Sequence, residues 1–288
     1  MSCFPTALIF VLQSRRFKLS LAGWNELKEH VMTTLSGRNA LVTGGGSGIG
    51  RAVALDLAAA GAAVTVCGRR NKPLDETVRM MLAAGGDADA IVCDLTHPDS
   101  IENLAENLIK TRGGVDILVN NAGFSSKVRS TRHIGAKEWR SVMDVNTLGP
   151  AMLTRALLAP MIKKHFGHVV MISSMAAIRP GVMAGAVYSS AKSAARAYMD
   201  VLSAEVRQHG VRCTTIFPGE VDTPILDNRA LPPDEETRRL MMQAEDISAA
   251  VMMAVSLPQR ANVLEIAITA TVPRDMTEDV KAALVRQC

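Results

Sequence analysis

Beyond Arg38 the chain alternates two hydrophobic patterns. Short runs that are apolar at nearly every position fall at 39–43, 62–67, 88–93, 115–120, 168–173, 211–217 and 263–269. Between them lie stretches in which apolar residues recur every three or four positions, at 48–60, 74–84, 98–111, 136–143, 147–165, 188–209 and 246–257. The short runs predict strands covered on both faces, and the periodic stretches predict amphipathic helices. Fully apolar strands alternating with helices imply a buried parallel sheet with helices on each side. The pattern therefore predicts an α/β fold, a doubly wound parallel sheet of about seven strands, formed as one domain by 37–288. No internal repeat and no linker interrupts it.

Residues 1–36 do not follow this pattern. A short apolar run at 7–12 precedes Arg15, Arg16 and Lys18, the reverse of the charge order in a secretory signal, and it is too short to span a bilayer. These residues are expected to form an N-terminal extension. Met32 lies just ahead of the first strand, so a chain starting there is expected to keep its fold and activity.

Composition narrows the class. Apolar residues make up 48 % of the chain and aromatics only 3 %, so aliphatic side chains and Met must fill the core, and a base-stacking surface is not expected. The 32 basic and 28 acidic residues are interspersed, which argues against a nucleic-acid partner. Cys3, Cys67, Cys93, Cys213 and Cys288 form no CxxC pair, and the six histidines show no ligand spacing. These features predict free thiols in a reducing, cytoplasmic setting, with no metal site and no membrane partner.

The chemistry begins at 43–50, Thr-Gly-Gly-Gly-Ser-Gly-Ile-Gly, between the first strand and the first helix. Glycines there allow a tight turn and let a pyrophosphate approach the backbone, while the helix N-terminus offers amide donors to the anion. A purely structural glycine turn is the competing reading. At the end of the second strand the sequence is Cys67-Gly68-Arg69-Arg70, with no carboxylate before Asp75. A guanidinium there favours a ribose 2′-phosphate over a 2′-hydroxyl, so NADP (NADPH) is expected over NAD, with Arg69 as its reader. Two solvated arginines at a strand end are the alternative.

Tyr188 and Lys192 are four residues apart and share a helix face if 188–209 is helical. A nearby ammonium would lower the tyrosine pKa from its usual value of about 10 and fit it for acid–base work on a carbonyl or alcohol. On its own the spacing equally describes an amphipathic helix with a solvated lysine.

Together these segments resemble the short-chain dehydrogenase/reductase family in its single-domain, Rossmann-like form, over about 35–271. Gly44, Ser47, Gly48, Ile49 and Gly50 lie in a loop similar to the family's TGxxxGIG. Asp94-Leu95 resembles its adenine-binding pair, and Asn120-Asn121-Ala122-Gly123 its NNAG motif. Asn146, Ser174, Tyr188 and Lys192 match its catalytic tetrad, and Pro218, Gly219, Val221 and Thr223 match its nicotinamide-binding segment. The resemblance implies an NADP-preferring oxidoreductase that moves a hydride between a nicotinamide and a carbonyl or secondary alcohol. Tyr188 would serve as general acid/base, Ser174 orient the reacting oxygen, Lys192 bind the nicotinamide ribose, and Asn146 hold a relay water. It also implies a homodimer or homotetramer paired through 147–165 and 188–209, where Ala191, Ala194, Ala195 and Ala197 allow close packing. The chain's end hints at the members acting on small 3-oxo or 3-hydroxy acids.

Two features depart from the family pattern. Ser47 stands where many NADP-dependent members carry a basic residue, and Ser174 precedes Tyr188 by fourteen positions, one more than is usual. Ser173 and Ser174 should point to opposite faces of their strand, leaving one for the site. Selectivity is expected from the loops 124–134, 175–187 and 220–243. Phe124, Met175, Ile178, Val182 and Met183 suggest an apolar pocket. Lys127, Arg129, Arg132 and Arg179 read first as solvated cations, and otherwise as partners of a carboxylate or phosphate. A regulator that binds the nucleotide without turnover is the main rival. A serine hydrolase is disfavoured by the absence of a GxSxG elbow, and an epimerase or dehydratase by the lack of room for a larger substrate domain.

Overall fold

In the computed structural model, which describes residues 34–286, the elements alternate in chain order as their hydrophobic pattern demands. They are β1 (Asn39–Thr43), α1 (Gly48–Ala59), β2 (Ala63–Gly68), α2 (Asn71–Ala83), β3 (Asp87–Val92), α3 (Pro98–Arg112), β4 (Ile117–Asn120), α4 (Ala136–Met143), α5 (Gly149–Lys164) and β5 (Gly167–Ile172). There follow α6 (Ala186–Val206), β6 (Val211–Pro218), α7 (Glu235–Arg239), α8 (Ala244–Ser256), β7 (Glu265–Ile268) and α9 (Thr277–Val285). The extension, with Met32 and Cys3, lies outside the described residues, as does Cys288.

All seven strands are parallel, in the order β3-β2-β1-β4-β5-β6-β7. The chain winds outward from β1 to β3, then returns to place β4 on the other side of β1. The C-terminal ends of β1 and β4 therefore flank a crevice, where open α/β sheets bind ligands. Successive strand residues serve opposite layers. Ala40 and Val42 pack with Val53, Leu57, Ile247 and Val251 of α1 and α8. Leu41 and Leu118 face Leu104, Leu153, Leu157 and Met199 of α3, α5 and α6. Each such side chain leaves water almost completely, and a fully buried Val or Leu contributes on the order of 1.5–3 kcal/mol.

The expectation that every strand is covered on both faces needs correction at the edges. The five inner strands are buried along most of their length, but β3 and β7 alternate exposed and half-buried residues. Each edge strand has one neighbour, and its outer positions face solvent. The sequence pattern also missed α7 and α9, which are short and only weakly periodic. Cys67, Cys93 and Cys213 are free and buried. Of the alanines expected at a helix interface, Ala191 and Ala195 are buried within the subunit, Ala194 is half-buried and Ala197 exposed.

A polar cluster closes the end of the sheet opposite the crevice. Arg212 donates to the carbonyls of Ala254, Val255, Leu257 and Ala261, tying off the end of α8. Beside it, His168 Nε2 lies 2.8 Å from the Thr214 hydroxyl, which itself donates to the Val263 carbonyl at 2.7 Å. Thr214 has spent its proton, so Nε2–H must be the donor, leaving Nδ1 buried and unpartnered. Burial, with the Arg212 charge adding to it, pushes the imidazole pKa down to about 3. The unfolded chain, with an ordinary value near 6.5, takes up this proton first as pH falls. Stability is therefore expected to drop below about pH 6.5, by up to about 1.4 kcal/mol per pH unit from this group. Denaturant melts at pH 7 and pH 5 check this. His168→Gln should lose less stability between the two than the parent, and an equal loss would dissociate His168 from the effect.

Candidate active site

Three loops meet over the crevice, and their meeting is held by backbone chemistry. The Thr43 hydroxyl, at the end of β1, accepts the N–H groups of Asn121 and Ala122, each at 2.9 Å. The Asn121 amide returns a bond to the Thr43 carbonyl at 2.9 Å. The segment after β4 is thus stitched to the glycine loop across the point where the strand order reverses. Gly44 has φ +67° and Gly48 φ +52°, backbone conformations that L side chains rarely adopt. A Cβ on Gly44 would also meet Ala122 Cα at 3.0 Å.

Gly50 differs from its expected role. A Cβ there would collide with the Gly44 carbonyl and the Asn121 amide, but the residue does not line the crevice. It lets α1 sit against the loop, where any side chain would collide. The other expected cofactor residues do face the crevice: Gly44, Ser47, Gly48, Ile49, Arg69, Asp94, Leu95, Asn121, Ala122, Gly123, Pro218, Gly219, Val221 and Thr223. The cavity they share with Ser174, Tyr188 and Lys192 measures about 1250 Å³. Its floor is a bare, glycine-lined cradle opening onto a helix N-terminus, which fits a dinucleotide pyrophosphate.

At the adenosine end, Arg69 is exposed and donates no hydrogen bond to another described residue. Burial pushes the Asp94 carboxyl up, but bonds from the Thr96 backbone and hydroxyl, and the charges of Arg69 and His97, outweigh it and hold the group below its usual range.

At the reactive end, Tyr188 opens the first turn of α6, half-buried and within hydrogen-bonding reach of Ser174. The strand-face argument separates the two serines. Ser174 turns to the phenol, whereas the buried Ser173 hydroxyl donates to the Lys192 carbonyl at 3.2 Å. Lys192 is buried, and its Nζ donates to the Ile172 carbonyl at 2.9 Å. Burial lowers its pKa to about 8.

This revises the electrostatics expected of the Tyr–Lys pair. Nζ lies 5.7 Å from the centre of the tyrosine ring. Burial pushes the phenol above its ordinary value; the Ser174 hydrogen bond and then the charges of Arg129 and Arg229 pull against that rise without cancelling it. The cations acting on the phenol are these two arginines. Lys192, lowered by burial to a pKa of about 8, stays mostly protonated at neutral pH but is not among the charges that shift the phenol.

Asn146 stands behind the crevice rather than in its wall. It lies in a π-helical turn, Asp144–Leu148, which joins α4 to α5 into one bent rod where the sequence suggested two separate helices. Pro150 lacks the N–H that a regular α-helix would donate to the Asn146 carbonyl, so the wider turn falls where regular bonding fails. The Asn146 amide donates to the carbonyls of Phe124 and Val142, both at 2.9 Å. Its Oδ1 is buried without a partner, and a Cβ on Gly123 would stand 2.6 Å from it and 3.4 Å from Lys192 Nζ. Any side chain at 123 would fill the space between the amide oxygen and the amine.

The substrate side is built from parts the sequence did not connect. Phe124, Met175, Val182 and Met183 line the cavity as expected, but Ile178 does not. Lys127 and Arg132 point to solvent and Arg179 lies exposed at the rim, whereas Arg129 is 6 % exposed and lines the cavity. The opposite wall is the chain's end: Val272, Pro273, Arg274, Met276 and Val280. A clasp holds it there. Arg274 grips Glu220 with bonds of 2.8 and 2.9 Å and Asp279 with two of 2.8 Å, while Arg229 reaches Glu220 at 2.6 Å. Hydrogen bonds to Asp279 and Glu220 raise the Arg274 pKa further. Residues 220 and 274 are 54 positions apart, and no local pattern links them. Among the described residues, no group of His, Cys, Asp and Glu is arranged to hold a metal, and no helix is long and apolar enough to cross a membrane.

A doubly wound parallel sheet, a glycine cradle at its switch point and a Ser–Tyr pair above it define a nicotinamide-dependent oxidoreductase. The family model described as short chain dehydrogenase matches residues 38–233, and the chain belongs to that family. An uncharacterized oxidoreductase of Staphylococcus aureus is 33 % identical over 239 residues, covering 82 % of this chain and 99 % of its own length. A metagenomic short-chain oxidoreductase solved in complex with NADP is 31 % identical, with a TM-score of 0.73 over 83 % of this chain and 100 % of its own. An alcohol dehydrogenase from the archaeon Thermococcus sibiricus, complexed with 5-hydroxy-NADP, is 25 % identical, with a TM-score of 0.75 over 83 % of this chain and 98 % of its own.

Proposed function

We propose that this enzyme is an NADP-preferring reductase and dehydrogenase of a small carbonyl or secondary-alcohol substrate, with Tyr188 as its general acid/base. The observation that carries the reading is the Tyr188 phenol facing Ser174 at the mouth of the glycine-floored crevice. The cradle at 44–49, Asp94, the 121–123 segment and the 218–223 segment would hold the cofactor, with Arg69 beside the adenosine ribose. When bound, the nicotinamide supplies or accepts the hydride.

The chain's own groups manage the proton and the oxygen. In reduction Tyr188 gives its phenolic proton to the carbonyl oxygen, and in oxidation it takes the alcohol proton back. Ser174 donates a hydrogen bond to the same oxygen as charge develops on it. Lys192, with a pKa of about 8, exchanges protons readily near neutral pH and serves as the reservoir behind the phenol. Asn146 Oδ1, buried and unpaired beside Gly123, is the acceptor on which a relay water would sit.

The test is oxidation of NADPH and of NADH against a panel of ketones, 3-oxo acids, 3-oxoacyl thioesters, sugars and steroids. Faster NADPH oxidation with at least one carbonyl is expected. Tight NADPH binding without turnover across the panel would favour a nucleotide-sensing regulator on the same fold.

A further inference from the structure

We propose that Arg129 is the specificity-determining residue of the site and that it selects substrates carrying a carboxylate close to the reacting carbonyl. This rests on the carbonyl-reducing function proposed above, and its test is arranged so that the two can fail separately.

The argument starts from the cost of burying a guanidinium. Arg129 is 6 % exposed, yet among the described residues no carboxylate makes an ion pair with it. Nη1 donates to the Ala184 carbonyl and Nη2 to the Ser125 hydroxyl, both at 2.8 Å and both to neutral acceptors. The nearby acids are already engaged. Glu138 is held by the Ser126 hydroxyl and the Lys127 N–H, and Glu220 and Asp279 are clasped by Arg274. Arg229 and Arg286 add like charge to the surroundings. A buried cation without a counter-charge is costly; Arg212 offsets that cost with four carbonyl acceptors, whereas Arg129 has two neutral acceptors and faces the cavity.

The position indicates what brings it. Arg129 lines the same cavity as Ser174 and Tyr188. It is also packed against the residue that starts the Tyr188 helix: a Cβ on Gly185, whose φ is +81°, would lie 3.0 Å from Arg129 Cα and 3.1 Å from its Cδ. Close packing fixes the guanidinium relative to the phenol. Two neutral bonds leave N–H donors of the five-donor fork for a ligand, and a planar fork suits a carboxylate. The substrate class is therefore an oxo acid, or the corresponding hydroxy acid, whose carboxylate meets Arg129 while its carbonyl oxygen meets Tyr188 and Ser174.

The test compares the parent with Arg129→Met and Arg129→Lys. Turnover is measured with NADPH on 2-, 3- and 4-oxo carboxylates and on their methyl esters. The parent should favour one acid over its ester, and Arg129→Met should reduce that kcat/KM ratio about a hundredfold, the worth of about two charge-assisted hydrogen bonds. Arg129→Lys keeps the charge but not the fork, and should cut the ratio at least tenfold. In parallel, malonate should raise the melting temperature of the parent–NADPH complex while neutral malonamide does not, and Arg129→Met should lose the malonate effect. Replacing a buried, unpaired charge with an apolar side chain should not lower the melting temperature, whereas a purely structural Arg129 would make that variant less stable and depress acid and ester alike. Equal losses on acid and ester, no malonate effect in the parent, or a malonate effect that survives in Arg129→Met would each overturn the proposal. If no carbonyl is turned over, the reductase function fails, and the malonate comparison still decides the role of Arg129. Should Arg129→Met not fold, Arg129→Lys carries both measurements.

Discussion

Tyr188→Phe should abolish turnover, lowering kcat by about a thousandfold or more, while NADPH still binds with nearly its original affinity. The phenol is the one proton donor placed beside Ser174, and its ring would be kept by phenylalanine, so packing at the start of α6 should survive. In the proposed function, binding rests on the cradle, Asp94 and the segment after β4, which the substitution does not touch. Fluorescence titration with NADPH and steady-state rates separate the two effects, and turnover near the parent level would remove Tyr188 from its role. The pH dependence in the parent follows from the same group. Because burial lifts the phenol above its usual value, the proton is retained through neutral pH. Carbonyl reduction should therefore stay level across that range, and alcohol oxidation, which needs the phenolate, should climb as pH rises.

Arg69→Asp should reverse the cofactor preference. Arg69 directly follows β2 on the wall of the crevice, exposed and without a hydrogen-bonded partner among the described residues. A guanidinium there can pair with a 2′-phosphate through two charge-assisted bonds, each contributing about 1.5–3 kcal/mol. Losing both should lower kcat/KM for NADPH by more than about a hundredfold, and a carboxylate in their place should repel the phosphate while accepting a ribose hydroxyl from NADH. The ratio of kcat/KM for the two cofactors is the measurement. Arg70→Asp, one residue further along and also exposed on the cavity wall, is the comparison and should change the ratio less. An unchanged ratio in Arg69→Asp would assign the 2′-position to another group.

Much of the frame was legible because it is written in local pattern. Runs apolar at nearly every position marked the strands of a covered sheet, although two of the seven became its half-exposed edges, and the glycine loop announced itself between the first strand and the first helix. Asn146, Ser174, Tyr188 and Lys192 could be proposed as a set because they resemble the family's tetrad in order and spacing. The two-residue period of a strand left only one of the adjacent serines for the site, the motif resemblance favoured Ser174, and in the fold Ser173 donates instead to the Lys192 carbonyl.

What a side chain does once folded depends on how much water it keeps, and that is set by residues far away in the chain. Lys192 read as the cation that activates Tyr188, but burial against β5 brings its own pKa down to about 8, and the charges that act on the phenol are those of Arg129 and Arg229. Arg129 read as one more solvated loop cation, and the packing of Gly185 and Ser125 around it enclosed it instead. Gly50 read as part of the phosphate loop, and the fold adds that any side chain there would strike the Gly44 carbonyl and the Asn121 amide. The wall formed by 272–280 had no local signature, since its anchor is an arginine gripping a glutamate 54 residues earlier. The sequence by itself determined the sheet and the cradle, because periodicity and spacing are properties of neighbours, and the family resemblance pointed to the acid–base residues proposed here. Only the tertiary structure decided which charges are desolvated, which glycines are structural and what encloses the substrate, because desolvation and closure arise from contacts between segments distant in the chain.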